Sequence, residues 1–169
     1  IKGPCSSLSE DGHQDRKFDY MITNPPFGVS WKADEDFVKN EAKDSNGRFS
    51  IGTPRTSDGS LLFLQHLIYK MEPTGSRIGI VFNGSPMSTG DAGSGESEIR
   101  KWIIENDYLE TIISLPTNMF FNTSIPTFIW IVTNKKKNKR KEKIQWIKGD
   151  SFYQSINRNL GSKNRVIND

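Results

Sequence analysis

Residues 18–27 read FDYMITNPPF, a short apolar run of strand type that ends abruptly in two prolines. Each proline has a fixed φ and lacks an N–H donor, and the residue before a proline is kept out of the helical region. The pattern therefore predicts a buried strand over residues 18–23 and a stiff turn at Asn24-Pro25-Pro26-Phe27. This turn presents backbone carbonyls, an amide side chain and an aromatic ring, which suit it to holding a planar ring that carries an amino group.

The chain downstream of this turn predicts alternating helices and strands. Apolar residues recur at helical spacing after Ser57 and Asp58, either of which can cap a helix that runs to about Met71. A second helix carries acidic residues near its positive end, beginning close to Glu96, and ends near Asp107. Further strands are predicted over residues 77–82, 109–115, 126–133 and 144–147, the last at an edge of the sheet.

This alternation of strands and helices, closed by an antiparallel pair, is an α/β pattern. We expect a partial, Rossmann-like sheet that is mostly parallel, with an antiparallel strand near the edge and helices on both faces. The turn at residues 24–27 then lies at the carboxyl end of its strand, where open α/β sheets place their ligands. Residues 28–57 predict a long irregular segment with a short helix near residues 36–42. Residues 151–169 predict a polar extension that is partly helical or loose.

Composition narrows the class of protein. The chain has 169 residues, of which 34% are hydrophobic, and a mean hydropathy of −0.61, which suits one domain with a real core. No apolar run approaches the roughly 20 residues that a membrane helix needs. The single cysteine, Cys5, cannot form an internal disulfide, which favours the cytoplasm. Two histidines and one cysteine are too few to predict a zinc site, so no metal is expected.

The charge of the chain permits a nucleic-acid partner without requiring one. The net charge is +3 and the pI about 9.0. Much of the excess lies in one basic run, residues 135–141, which read KKKNKRK. The run is either a solvated loop between two strands or a contact to DNA phosphates, and the sequence leaves both interpretations open.

Four stretches carry a resemblance to a known family. The Asn-Pro-Pro-Phe turn is shared by methyltransferases that modify exocyclic or amide nitrogens. In chain order, the four stretches resemble the modification subunits of type I restriction–modification systems, and together they cover nearly all of the chain. They are NPPFGVSWK at 24–32, SDGSLLFL at 57–64, TGDAGSG at 89–95 with SEIR at 97–100, and LPTNMFF at 115–121.

The resemblance implies an adenine-specific DNA methyltransferase that transfers a methyl group from S-adenosylmethionine to the exocyclic N6 of a flipped adenine. The Asn24 side-chain oxygen and the Pro25 carbonyl would accept the two amino hydrogens, with Asn24 also bordering the cofactor. Pro26 completes the catalytic turn. Phe27 and Phe120 would bind the flipped base by stacking, with Phe121 close behind.

The reaction itself places modest demands on the site. An adenine amino group is a poor nucleophile because its lone pair is delocalised into the ring, whereas the sulfonium donor is already strongly electrophilic. Acceptors that strengthen their hydrogen bonds as positive charge builds on the nitrogen lower the barrier. A dedicated general base is not needed, so His13 and His66 are predicted to be surface residues.

The family's cofactor loop is a glycine-rich turn upstream of the tetrapeptide, and residues 1–17 do not match it. Residues 1–150 therefore resemble the target-base half of a catalytic domain that lacks most of the S-adenosylmethionine side. Half a sheet exposes an apolar edge, so a homo-oligomer or another covering contact is expected. The implied partners are double-stranded DNA and the specificity and restriction subunits of a type I complex. The alternatives are an inactive fragment or interaction module, and an RNA or protein-glutamine N-methyltransferase.

Overall fold

The computed structural model describes residues 6–121 and 123–167, and Cys5 lies outside the described residues. The helices are α1 (Glu35–Glu41), α2 (Ser60–Tyr69), α3 (Ser85–Ser88) and α4 (Gly95–Glu105). The strands are β1 (Tyr20–Thr23), β2 (Arg77–Phe82), β3 (Leu109–Leu115), β4 (Thr127–Thr133), β5 (Gln145–Lys148), β6 (Gln154–Leu160) and β7 (Lys163–Val166). No described helix is long and apolar enough to cross a membrane.

Five strands form one mixed sheet in the order β1-β2-β4-β3-β5. β1 pairs in parallel with β2, and β3 with β5, while β4 runs antiparallel to both β2 and β3. The α/β class, the antiparallel β3–β4 pair and the edge position of β5 are therefore confirmed. The sequence predicted an antiparallel strand near the edge of the sheet. That strand, β4, instead lies in the middle of the five, because it pairs with β2 on one side and β3 on the other, and β5 extends the sheet beyond β3.

The main core lies between one face of this sheet and two helices. Alternate residues of β2 and β4 point to that face, so Ile78 and Ile80 lie beside Val132 and Trp130. Helix α2 contributes Leu61, Leu64 and Ile68 to the same cluster, and α4 contributes Ile99 and Ile103. Both long helices therefore cover the same face of the sheet.

The opposite face of the sheet is apolar but open in the described part of the chain. Ile22 on β1 is 92% exposed, and Val81, Ile129 and Ile131 are only partly buried. The Ile22 and Ile131 side chains both approach Gly79 on that face, so the apolar surface is continuous. The sequence predicted helices on both faces of the sheet. In the described residues, helices cover only one face.

Residues 28–57 form an additional layer on the outer side of α2. Trp31, Val38 and Phe49 from this segment join Leu8 and Leu62 in a second buried cluster. The short helix predicted in this segment is confirmed as α1. The segment is irregular, as expected, but it is held in place by its own small core.

Arg48 joins this outer layer to the N-terminal residues and to α2. Its guanidinium makes two hydrogen bonds of 2.7 Å to the Glu41 carboxylate and donates to the carbonyls of Ser7 (3.1 Å) and Leu8 (2.7 Å). It also lies 3.0 Å from Nδ1 of His66. The prediction that His66 is a surface residue is therefore wrong, because the outer layer packs against it and leaves it only partly exposed.

The last strands form a separate two-stranded antiparallel hairpin, β6–β7. The prediction of a partly helical or loose extension is wrong. The Asn118 carbonyl accepts the N–H groups of Asn164 (3.1 Å) and Arg165 (3.2 Å), and its side chain donates to the Ser162 carbonyl (3.0 Å). These contacts attach the hairpin to the β3–β4 connection, which the polar composition of the segment does not reveal.

Candidate active site

The predicted turn begins directly after β1, at the carboxyl edge of the sheet. Pro25 is buried, whereas Asn24 and Pro26 are exposed and Phe27 is partly buried. Gly28 follows with a φ of 60°, a left-handed conformation that turns the chain sharply away from the strand. The buried proline anchors the turn, and the Asn24 amide is left accessible to a ligand.

A cleft of about 590 Å³ is lined by every residue that the sequence predicted for the site. The four residues of the turn form one part of its lining. Phe120, Phe121, Thr123 and Ile125, from the connection between β3 and β4, form the other. The two segments meet because β1 and β3 point in the same direction, so both strands end at the same edge of the sheet.

Asp58 lies beside this edge and has a structural role. Its carboxylate accepts hydrogen bonds from the Ser60 hydroxyl (2.6 Å), the Ser60 N–H (3.0 Å) and the Ser85 hydroxyl (2.7 Å). Burial raises the pKa of this carboxyl, but these hydrogen bonds and the nearby Arg55 charge outweigh burial and hold the pKa below its ordinary value. The N-cap position itself belongs to Gly59, and Asp58 fastens the start of α2 to α3.

The glycine-rich segment 89–95 is a tightly held loop. Arg100 donates to the carbonyls of Thr89 (2.6 Å) and Gly90 (3.3 Å), and the Ser94 hydroxyl caps α4 by accepting the Ser97 N–H (3.2 Å). Asp91 is exposed within this loop. These contacts hold the loop against α4, so the loop supports the N-terminus of that helix.

The basic run 135–141 lies at the opposite edge of the sheet from the cleft. It follows the end of β4, where Thr133 is paired with Arg77, the first residue of β2. Lys136 is buried, forms an ion pair with Asp107 and donates to the Lys143 carbonyl (3.0 Å). The run therefore includes structural contacts and is not part of the cleft.

The hairpin β6–β7 brings cationic side chains close to the cleft. Sequence patterns did not identify these side chains. The Lys163 ammonium lies 5.4 Å from the centre of the Phe121 ring. Arg165 donates to the Thr117 hydroxyl (3.0 Å) and lies 4.0 Å from the centre of the Tyr153 ring. A usable signal was present, since Gly161 and Ser162 form a two-residue connection of the kind that joins hairpin strands.

Comparison with known proteins identifies the family of the chain. The chain matches the N-6 DNA Methylase family over residues 3–167. It belongs to the N-6 DNA methylase family. Among the described residues of this family member, no group of three or more His, Cys, Asp or Glu side chains could hold a metal ion.

Comparison with two curated methylase subunits shows what share of a relative's length this chain covers. It is 32% identical over 157 residues to the type I restriction enzyme MjaIX methylase subunit of Methanocaldococcus jannaschii, covering 90% of this chain and 26% of that protein. It is 35% identical over 135 residues to the HindI methylase subunit of Haemophilus influenzae, covering 80% and 28%. The chain thus spans roughly a quarter of the length of these relatives.

Solved structures give the same match in three dimensions. The type I restriction–modification methyltransferase subunit from Streptococcus thermophilus superposes with a TM-score of 0.75 at 27% identity, over 97% of this chain and 32% of that one. The EcoKI M protein gives a TM-score of 0.54 at 25% identity, over 83% and 26%. The fold, including the carboxyl edge that carries the cleft, is that of these methylases.

Proposed function

We propose that this chain is the target-base part of an adenine-specific DNA methyltransferase that acts as the modification subunit of a type I restriction–modification complex. The reaction moves a methyl group from S-adenosylmethionine to N6 of a flipped adenine. The observation that carries the proposal is the cleft at the carboxyl edge. There the turn at residues 24–27 faces two aromatic side chains, in a chain of the N-6 DNA methylase family.

The turn has the chemistry that binding of an amino group requires. The Asn24 side-chain oxygen and the Pro25 carbonyl accept the two amino hydrogens and orient the nitrogen. Hydrogen bonds to these acceptors strengthen as the nitrogen becomes positively charged, so they stabilise the transition state more than the ground state. Proline at positions 25 and 26 keeps the turn rigid, which fixes the acceptors before the base arrives.

The aromatic side chains account for how the base is held outside the duplex. Flipping costs a few kcal/mol, and stacking on an aromatic ring returns about 1–3 kcal/mol per base. Phe27 and Phe120 line the same cleft and come from two different segments of the chain. Phe121, whose side chain is 59% exposed, is available beside them at the rim.

S-adenosylmethionine supplies an electrophilic methyl group, and Asn24 stands at the border of the target cleft where that group must be presented. The fit of the described residues to the cofactor is partial. Tyr20 and Ile22, on the open edge strand β1, are 79% and 92% exposed. We therefore assign most of the cofactor pocket to residues outside this chain. The residues that would bury the exposed side of β1 are assigned there as well.

The partners follow from the same family relationship. DNA is the substrate, and specificity and restriction subunits complete the complex, since the named relatives are methylase subunits of type I restriction enzymes. The family match to DNA methylases favours this function over RNA or protein-glutamine methylation, which the turn alone would allow. A cytoplasmic location accompanies this role.

The test is the substitution Asn24→Ala in the full-length protein assembled with its partner subunits. We expect loss of methyl transfer to adenine, measured by incorporation of labelled methyl groups into duplex DNA, with circular dichroism unchanged. The matched control is Asn40→Ala, an exposed asparagine on α1, away from the cleft, which should keep full activity. Retained methylation in the Asn24 variant would refute the proposed role of the turn.

A further inference from the structure

A second cleft lies along the same edge of the sheet. Its volume is about 520 Å³, and it is formed where β3 and β5 end and β4 begins. The lining includes Phe128, Trp146, Lys148, Asp150 and Arg165. The predicted catalytic chemistry uses none of these residues.

Aromatic rings form one side of this second cleft. The Trp146 side chain is 55% exposed although it belongs to a β-strand. Its ring centre lies 6.0 Å from that of Phe128 at an interplanar angle of 56°, so the two rings present an angled apolar surface. An exposed tryptophan beside a second ring is suited to packing against the sugar or base of a nucleotide.

Cationic side chains form the rest of the binding surface. The guanidinium of Arg165 is positioned by its hydrogen bond to Thr117 and by the Tyr153 ring, so it is held in a defined orientation. The Lys148 side chain is 79% exposed, and its ammonium lies 4.0 Å from the Asp150 carboxylate. Asp150 in turn accepts a hydrogen bond of 3.0 Å from Ser114. Two cations therefore face the cleft against one carboxylate.

The two clefts are neighbours on one continuous edge. The connection between β3 and β4 supplies Phe120 and Ile125 to the first cleft and Thr117 and Pro126 to the second. β1 and β5 are four strand spacings apart, which corresponds to about 19 Å at about 4.8 Å per spacing. Because both clefts lie between these two outer strands, at about 3.4 Å per base step they are separated by no more than about five to six steps of a DNA strand.

We propose that the second cleft binds the sugar–phosphate backbone of the DNA duplex within about half a helical turn of the flipped adenine. Lys148 and Arg165 contact phosphates, and Trp146 packs against deoxyribose. Such contacts position the duplex without reading its sequence. The inference rests on the proposed function, because it requires that the first cleft holds the target base.

The test compares Lys148→Gln and Arg165→Gln with the parent in the full-length methylase assembled with its specificity subunit. Binding of a fluorescent duplex is titrated across a range of salt concentrations. Each lost phosphate contact should reduce the slope of log K against log salt by about 0.9, and the double variant by about 1.8. Trp146→Leu should weaken binding with the salt slope unchanged, because it removes packing and no charge.

The matched control is Lys137→Gln, an exposed lysine of the basic run at the opposite edge of the sheet. It should leave affinity, slope and methylation unchanged. Parent-like affinity and slope in the double variant would overturn the proposal while leaving the proposed function intact, provided that the parent methylates adenine. If the variants instead fail to assemble with the specificity subunit, and DNA affinity in the complexes that do form is normal, the surface is a protein interface and the proposal is wrong.

Discussion

At the scale of the residue, the two phenylalanines of the first cleft are held in different ways. Phe27 directly follows Pro25 and Pro26, whose φ angles are fixed, and Pro25 is buried, so a rigid backbone leads into Phe27. Phe120 belongs to a connection in which Asn118 has a φ of 61° and receives the hairpin. Phe27 is therefore fixed by local sequence, whereas Phe120 depends on contacts with the hairpin β6–β7.

Phe120→Ala should weaken binding of the flipped base by about 1–3 kcal/mol, the usual contribution of one aromatic stacking contact. A duplex with 2-aminopurine at the target position reports flipping by its fluorescence. We expect a smaller fluorescence change and weaker binding for this variant. Phe37→Ala, on an exposed part of α1, is the control and should behave like the parent. Equal flipping in both variants would remove Phe120 from the binding site.

The stability of the folded protein is expected to depend on pH through one residue, His66. Burial, followed by the charge of Arg48, lowers the pKa of His66 from 6.5 to about 4. The folded-state pKa lies below the unfolded value, so the folded protein binds fewer protons in this range. Its contribution to stability is therefore complete above pH 6.5 and is lost as the pH falls towards 4.

His66→Gln should make stability less dependent on pH within this window, because glutamine does not titrate. The midpoint of urea unfolding, measured at steps between pH 7 and about 4, reports the effect. The exposed Asn40→Ala variant is the control and should keep the parent's pH profile, because neither side chain titrates in this range. An identical decline in the His66 variant and the parent would show that other groups cause it.

At the scale of the element, the outer layer shows what sequence patterns identify and what they miss. The N-terminal residues and helix α1 contribute Leu8 and Val38 to the second buried cluster, and Arg48 joins both segments to α2 through polar contacts. Hydrophobic periodicity predicted α2 and α4, because each has an apolar side that faces the sheet. It did not predict the hairpin, whose place is set by hydrogen bonds to Asn118.

Arg48→Met should detach this outer layer. It leaves the Glu41 carboxylate without its partner, and breaking a buried ion pair of this kind costs on the order of 3 kcal/mol. Hydrogen exchange followed by mass spectrometry should show faster exchange in residues 6–17 and in α1, with little change in the sheet. Arg16→Met, at an exposed position, is the control. Uniform protection in both variants would contradict the role of Arg48.

At the scale of the whole molecule, the sheet is covered on one face and open on the other. The open face and the edge strand β1 expose Tyr20 and Ile22, which soluble folds normally cover. This is consistent with a chain that spans roughly a quarter of its relatives' length. A second copy or the remainder of a longer protein would each bury this surface.

We expect residues 1–169 alone to show no measurable binding of S-adenosylmethionine, because residues 1–17 do not match the glycine-rich turn that the family resemblance implies. Isothermal titration calorimetry on the isolated chain provides the measurement, with the full-length protein as the positive control. Tight binding by residues 1–169 would show that the cofactor pocket is present in this chain.

The sequence by itself determined the class of fold, the strand that ends in Asn24-Pro25-Pro26-Phe27, and the rigid geometry of that turn. These features are local, since proline geometry and hydrophobic periodicity act within a few residues. Only the tertiary structure decided that Phe120 joins the turn in one cleft, that the basic run lies at the opposite edge, and that Lys148 and Arg165 share a second cleft. Strand order and hairpin docking set these positions, because they depend on pairings between residues far apart in the chain.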